Sequence, residues 1–216
     1  MLQSATIQDG GDDKTTSRYT RLLAYDVQGN QSTLAGEWVV PLPQSSKGKT
    51  RACSEIAFVA DGIFLALSRD GHGRGDDGGD SKSKYKNADL FSIRQATDIH
   101  DSKFDDPSNP IATDGKLDKS ITPATYVSFV SFIDDDQLAR FGLHNGAFFS
   151  QSYSGLMTED STDSPDDEKL LNAKWESFAI VSVGDASNPD DYFLFTAVRH
   201  PIELHIFSSE FTFPLV

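Results

Sequence analysis

The sequence holds a single cysteine, Cys53, so no disulfide forms within the chain. Set in an apolar run, that thiol reads as a small buried hydrophobe rather than a reactive group. Basic surplus is also missing: 33 acidic against 19 basic residues give a formal net charge of −14 and a pI near 4.6. That balance excludes non-specific binding to nucleic acid or an anionic membrane surface, both of which need a basic face. No apolar run approaches the length of a membrane-spanning helix, so no membrane insertion is expected. Residues 1–14 are polar and acidic, the reverse of a signal peptide's basic start and apolar core. From sequence alone, either the protein is intracellular or its true N-terminus lies upstream.

Aromatic residues are plentiful. Fifteen Phe, six Tyr and two Trp supply enough buried area for a real core. The surplus carboxylates suit a hard divalent cation such as calcium, which takes oxygen ligands. One sequon, Asn30-Gln31-Ser32, fits a glycosylated surface turn.

Residues 1–17 read as a polar N-terminal tail. Tyr19, Leu22, Leu23, Tyr25 and Val27 then predict a strand ended by Gly29-Asn30. Leu34 to Leu42 predicts its hairpin partner, stopped by Pro41 and Pro43. The clearest local signal follows: Ala52 to Val59, the tight-turn dipeptide Asp61-Gly62, and Ile63 to Leu67. That unit opens onto a glycine-rich loop, Gly71 to Asp80, before a strand at Ala88 to Ile93. Tyr126 to Ile133 alternates as a strand, and Asp134 is placed to cap a short helix over Asp135 to Leu143. An acidic loop at 154–169 precedes a second strand–turn–strand unit, Trp175 to Val183 and Tyr192 to Ala197. Ile56-Ala57-Phe58 matches Phe178-Ala179-Ile180, and Ile63-Phe64-Leu65 matches Tyr192-Phe193-Leu194. Such a repeat points to radial repetition of sheets. The fold class expected is all-β, an incomplete β-propeller-like array of antiparallel strand–turn–strand units with long acidic loops.

The stretch from Ser54-Glu55-Ile56-Ala57-Phe58 through Asp61-Gly62-Ile63-Phe64-Leu65-Ala66-Leu67-Ser68-Arg69-Asp70 resembles the phytase-like family (esterase-like activity of phytase), fungal type. Lys84-Tyr85-Lys86-Asn87-Ala88-Asp89-Leu90-Phe91 and Lys174-Trp175-Glu176-Ser177-Phe178-Ala179 extend the likeness. It covers roughly residues 18–197, a partial propeller domain, and leaves 198–216 as an atypical C-terminal tail. The resemblance implies an extracellular, propeller-like hydrolase of phosphoesters or esters. Because propellers close with about four to eight four-stranded blades, the chain reads as a partial one.

Within that frame Arg69 and Asp70 end a strand at a loop, where function often sits on a rigid scaffold. They are the expected catalytic residues, Arg69 gripping an anionic phosphoester through its planar fork. Glu55, Asp70 and Glu176 are the expected ligands of a calcium ion, through which metal-assisted attack on a phosphoester would proceed. Lys82, Lys84 and Lys86 form a small basic patch that with Arg69 could attract a polyanion such as an inositol phosphate, but they read more simply as solvated loop lysines. Other chemistries lack their motifs: there is no phosphate-cradling Gly-x-x-x-x-Gly-Lys-Ser/Thr, no Gly-x-Ser-x-Gly elbow and no zinc-like histidine spacing. The rival expectation is a non-catalytic propeller-type binding or scaffold protein, or an inactive truncated fragment.

Overall fold

A glycine at positive φ turns each of the first two hairpins. The computed structural model describes residues 1–71, 83–140, 144–145, 170–171, 175–188, 191–199 and 204–212. Strands β1 (Tyr19–Gln28) and β2 (Gln31–Pro41) pair antiparallel about Gly29-Asn30, where Gly29 has φ +61°. β3 (Ala52–Ala60) and β4 (Ile63–Arg69) pair about Asp61-Gly62, where Gly62 has φ +67°. A side chain at either glycine would sit in the strained left-handed region. β5 (Lys86–Ser92) pairs with β4, and the chain then crosses a 3-10 turn at Lys103–Asp105 and a small hairpin of β6 (Ala112–Thr113) and β7 (Lys116–Leu117). β8 (Thr125–Ser131) returns to the far side of β5, giving a four-stranded sheet in the order β3-β4-β5-β8.

Helix α1 (Asp135–Ala139) follows, with Asp134 capping it by accepting from the Gln137 N–H. The cap is where the sequence put it, and the helix ends earlier, with the Arg140 N–H bonded to Gln137 and Leu138 carbonyls. Short strands β9 (His144–Asn145) and β10 (Leu170–Leu171) pair parallel. β11 (Trp175–Ser182), β12 (Asp191–Arg199) and β13 (Leu204–Thr212) make a three-stranded antiparallel sheet. Residues 204–212, expected in an atypical tail, thus extend a sheet. The break at His200-Pro201 hides in sequence the strand beyond it.

Strand alternation explains how the sheets stack. Leu65, Leu67 and Ala88 point to one face of the four-stranded sheet and pack with Phe178 and Leu194 of the β11-β12-β13 sheet. Ala66 and Phe91 point to the other face and pack with Leu22, Val40 and Leu42 of the β1-β2 unit. The four-stranded sheet is therefore the middle layer, covered on both sides, which is why β4 reads as a continuous apolar run. On the β1-β2 side a row of rings crosses all four strands in register. Phe58, Phe64, Phe91 and Tyr126 stand opposite one another, with successive centroids 6.0, 5.1 and 6.1 Å apart.

A third cluster, Val39, Ile99, Phe104, Ile111, Ala112 and Ile121, packs the 93–124 connection against β2. Residues 1–17, read from sequence as a tail, lie along the domain. Leu2 donates its N–H to the Arg21 carbonyl, Gln3 accepts from the Cys53 N–H, and Asp9 is fully buried.

Candidate functional site

Three cations meet at one end of the middle sheet. Register places Arg69 of β4 opposite Lys86 of β5 and Ala52 of β3 opposite Arg69, so Arg51, one residue before β3, comes level with Asp70 at the same end of the sheet. Like charges directly opposite on neighbouring strands repel, and are held only where anions lie close. Asp70, next in the chain, is one such anion. Its carboxylate accepts from Ser83 Oγ at 2.7 Å and from the Lys84 N–H at 2.7 Å, and lies 3.6 Å from Arg51 Nη1. It thereby clasps the two ends of the segment between β4 and β5, together with the Asp70 N–H donated to the Tyr85 carbonyl.

Arg69 is also buried; its Nε donates to Ser54 Oγ at 2.8 Å, and Nη1 to the Asp70 carbonyl at 3.4 Å. Ser54 is available because a bulge lies between Cys53 and Glu55 of β3. Arg51 stacks its guanidinium 5.7 Å from the Tyr85 ring centre. Its Nε is buried and has no hydrogen-bond partner among the described residues. Lys86, expected among solvated loop lysines, is instead enclosed at 1% exposure, because it opens the two-face-covered strand β5. Lys84 is exposed. Lys82, His72 and Arg74, with the rest of 72–82 and the acidic loop 154–169, lie outside the described residues.

Glu55 turns toward β11. Its Oε1 accepts from the Ile56 N–H at 3.0 Å, and Oε2 accepts from Ser177 Oγ at 3.5 Å. Glu176 sits in the bulge between Trp175 and Ser177, so the backbones carrying the two glutamates are brought together. The Glu176 side chain lies outside the described residues. Among those residues, no three of His, Cys, Asp and Glu are grouped so as to hold a metal ion. Glu55 and Asp70 each accept from N–H and O–H donors.

Further along β5 lies a polar cluster that sequence reasoning did not identify. Asp89, fully buried in β5, accepts on Oδ2 from Tyr85 and Tyr126 hydroxyls, each at 2.9 Å. The Tyr126 oxygen also lies 2.6 Å from Ser68 Oγ. Asp89 Oδ1 is buried without a partner among the described residues. Burial pushes the Asp89 carboxyl above its usual range, and the hydrogen bonds from Tyr126, Tyr85, Asn87 and Ser68 only partly offset this. Burial and the neighbouring Asp89 charge push both tyrosine hydroxyls up as well. Burial lifts the Cys53 thiol to about 12, so no nucleophilic thiolate forms there at neutral pH.

A second buried charge group joins the N-terminal segment to β1 and β2. Arg21 holds Asp9 through two parallel bonds, Nε to Oδ2 at 2.7 Å and Nη2 to Oδ1 at 3.0 Å. Its Nη1 donates to Glu37 Oε1 at 2.8 Å and to the Phe104 carbonyl at 3.1 Å. Asp9 also accepts from Thr6 Oγ1 at 2.7 Å and from the Ile111 N–H at 2.9 Å. Burial works to raise the Asp9 carboxyl, but the bonds from Arg21, Ile111 and Thr6 and the Arg21 charge outweigh it and hold it low. Arg21 forms part of an open cleft of about 190 Å³ with Thr6, Gln8 and Phe104, yet most of its donors are already taken.

The family model for phytase-like proteins, described as esterase-like activity of phytase, matches residues 1–123. An uncharacterized secreted protein of Arthroderma benhamiae is 34% identical over 202 residues, covering 88% of this chain and 36% of that protein. The chain thus spans about a third of the length of that curated relative. No solved structure matches it. With more than half of its residues matched, including the N-terminal segment, Arg51 and the strands that carry Arg69 and Asp89, the chain belongs to the phytase-like family.

Proposed function

We propose that this chain is part of a secreted phytase-like hydrolase, and that it recognises a phosphoester anion through Arg51 and Arg69 at the end of the middle sheet. The observation that carries this reading is the Nε of Arg51, buried and without a hydrogen-bond partner among the described residues, at the end of the sheet that also carries Arg69 and Lys86, in a chain whose net charge is −14. A guanidinium N–H left unmet in a protein interior is costly unless an acceptor arrives. A phosphate oxygen is such an acceptor, and the planar fork suits it. Secretion is carried over from the Arthroderma relative. The face-packed sheets are read as neighbouring blades of a propeller, to be completed in a protein of the relative's length.

A second reading, a non-catalytic binding module, is favoured by one observation. The Asp70 carboxylate is engaged by Ser83, the Lys84 N–H and Arg51, which makes it a loop clasp rather than a base. Both readings share the anion site and part at turnover.

Inositol hexakisphosphate titrated into the purified chain tests the shared part, and phosphate release with chelator or with millimolar calcium tests the rest. Losing one charge-assisted bond in Arg51→Gln should weaken binding roughly 10- to 100-fold. Arg69→Ala should cut phosphate release while the chain still melts cooperatively. Equal affinity of Arg51→Gln and the parent would remove the anion site. Binding without release in either buffer would leave the binding-module reading. Release that requires calcium would bring Glu55, Asp70 and Glu176 back as ligands.

A further inference from the structure

The hairpin β1–β2 is two different structures along its length. Its base is covered: Leu22, Val39 and Val40 are buried, and Leu2, Ser4 and Asp98 bond along its flanks. Its far half is not. Residues 25–33 are all exposed, on both faces and both edges, and no other strand pairs with them among the described residues. The change falls at the bulge between Ala24 and Tyr25. Beyond it the projecting arm carries Tyr25 at 52% and Val27 at 71% exposure, with Leu34 opposite Tyr25. Open edges beside exposed apolar side chains invite pairing with another chain.

The tip of this arm is the turn Gly29-Asn30, and Asn30-Gln31-Ser32 is the one Asn-x-Ser/Thr sequon in the sequence. Asn30 is exposed, and a Cβ placed on its neighbour Gly29 would meet nothing within 4 Å. A bulky group on Asn30 therefore meets no steric obstacle and disturbs no packed residue. Had the sequon fallen at Asn87, 5% exposed within β5, the folded sheet would reject it.

We infer that Asn30 is an N-glycosylation site, and that the oligosaccharide keeps the projecting arm from pairing edge to edge. The inference rests on the secretory reading above. In the step itself, Asn30 Nδ2 bonds to C1 of an oligosaccharide carried on a polyprenyl pyrophosphate. The C1–O bond to pyrophosphate breaks, the amide loses one proton to a base, and the polyprenyl pyrophosphate leaves. No electron transfer is involved. A hydrophilic group at the tip then surrounds Tyr25 and Val27 with bound water, which discourages association.

The test uses the full chain behind a heterologous secretory leader in a yeast host, with both the medium and the protease-protected microsomal fraction analysed. Intact mass before and after endoglycosidase should show a single glycan on the parent and on Ser32→Thr, and none on Asn30→Gln or Ser32→Ala. Light scattering should find the glycosylated parent monomeric and Asn30→Gln more associated, with unchanged melting temperature showing that the fold is intact. A parent chain in the lumen that carries no endoglycosidase-sensitive mass would overturn the site. Equal association with and without the glycan would overturn its role. Because the leader forces entry, these results are independent of whether the natural protein is secreted, which its presence in the host's own culture medium would decide.

Discussion

The two buried charge groups use the same kinds of residue and reach opposite states. Around Arg21, donors and acceptors are matched: Asp9 and Glu37 flank it, and both Asp9 oxygens accept more than one bond. Around Asp89, matching stops short: Oδ2 accepts from two tyrosines, while Oδ1 and the nearby Arg51 Nε have no partner among the described residues. The carboxyl of Asp9 is held low and that of Asp89 is pushed up. A completed group fastens segments together. An uncompleted one stores a free-energy cost that a ligand or a proton can relieve.

Removing the cation from the completed group should give the largest effect. Arg21→Met leaves Asp9 and Glu37 buried without their partner, at a cost of about 3–5 kcal/mol. The melting temperature should fall by roughly 10 °C or more. A fall of only a degree or two would mean that the triad fastens nothing.

The contrast is sharpest against pH. Asp9 is more acidic folded than unfolded, so its stabilisation is present above the unfolded carboxyl value near ~3.9 and is lost as pH falls through the folded value. Asp89 is less acidic folded, so the native state binds the proton better. Its contribution is greatest below ~3.9 and declines as pH rises toward the folded value. Melting temperatures from pH 3 to 8 should therefore respond in opposite senses. Asp9→Asn should lower stability at neutral pH and flatten the acid limb. Asp89→Asn should be no less stable than the parent at pH 8. A parent-like slope in both variants would erase the distinction.

Smallest of all should be Ser83→Ala, which removes one donor from Asp70 and costs about 1 kcal/mol. If Asp70 is a clasp, that loss appears in the melt while affinity for inositol hexakisphosphate is kept. A drop in affinity with an unchanged melt would move Asp70 to the open group.

What could be read from sequence was local. Gly29-Asn30 and Asp61-Gly62 turn the chain where expected because turn chemistry depends on adjacent residues, and Asp134 caps α1 because a cap needs only the next few N–H groups. The family was legible too, from strand and loop residues around Glu55, Arg69 and Asp70. The buried charge groups were not. Asp9 and Ile111 are 102 residues apart, and Tyr126 reaches Asp89 across 37, so no spacing rule links them. Lys86 read as exposed because neither its type nor its neighbours reveal that both faces of β5 are covered. The sequence offered Arg69 and Asp70 as one site; folding adds Ser54 on β3 as a partner of Arg69 and Ser83 beyond the loop as a partner of Asp70.

One consequence concerns Cys53, the lone thiol, 4% exposed beside the middle sheet and bonded to the Glu55 carbonyl at 3.2 Å. With its ionisation pushed up to about 12, it scarcely reacts with an alkylating agent while β3 stays in place. Alkylation then proceeds through excursions that lift β3 away, so the rate of adduct formation follows the population of the open state. The wild-type protein thus needs no introduced label: mass shift against time, with and without inositol hexakisphosphate, tests whether the proposed anion binds and holds the sheet shut.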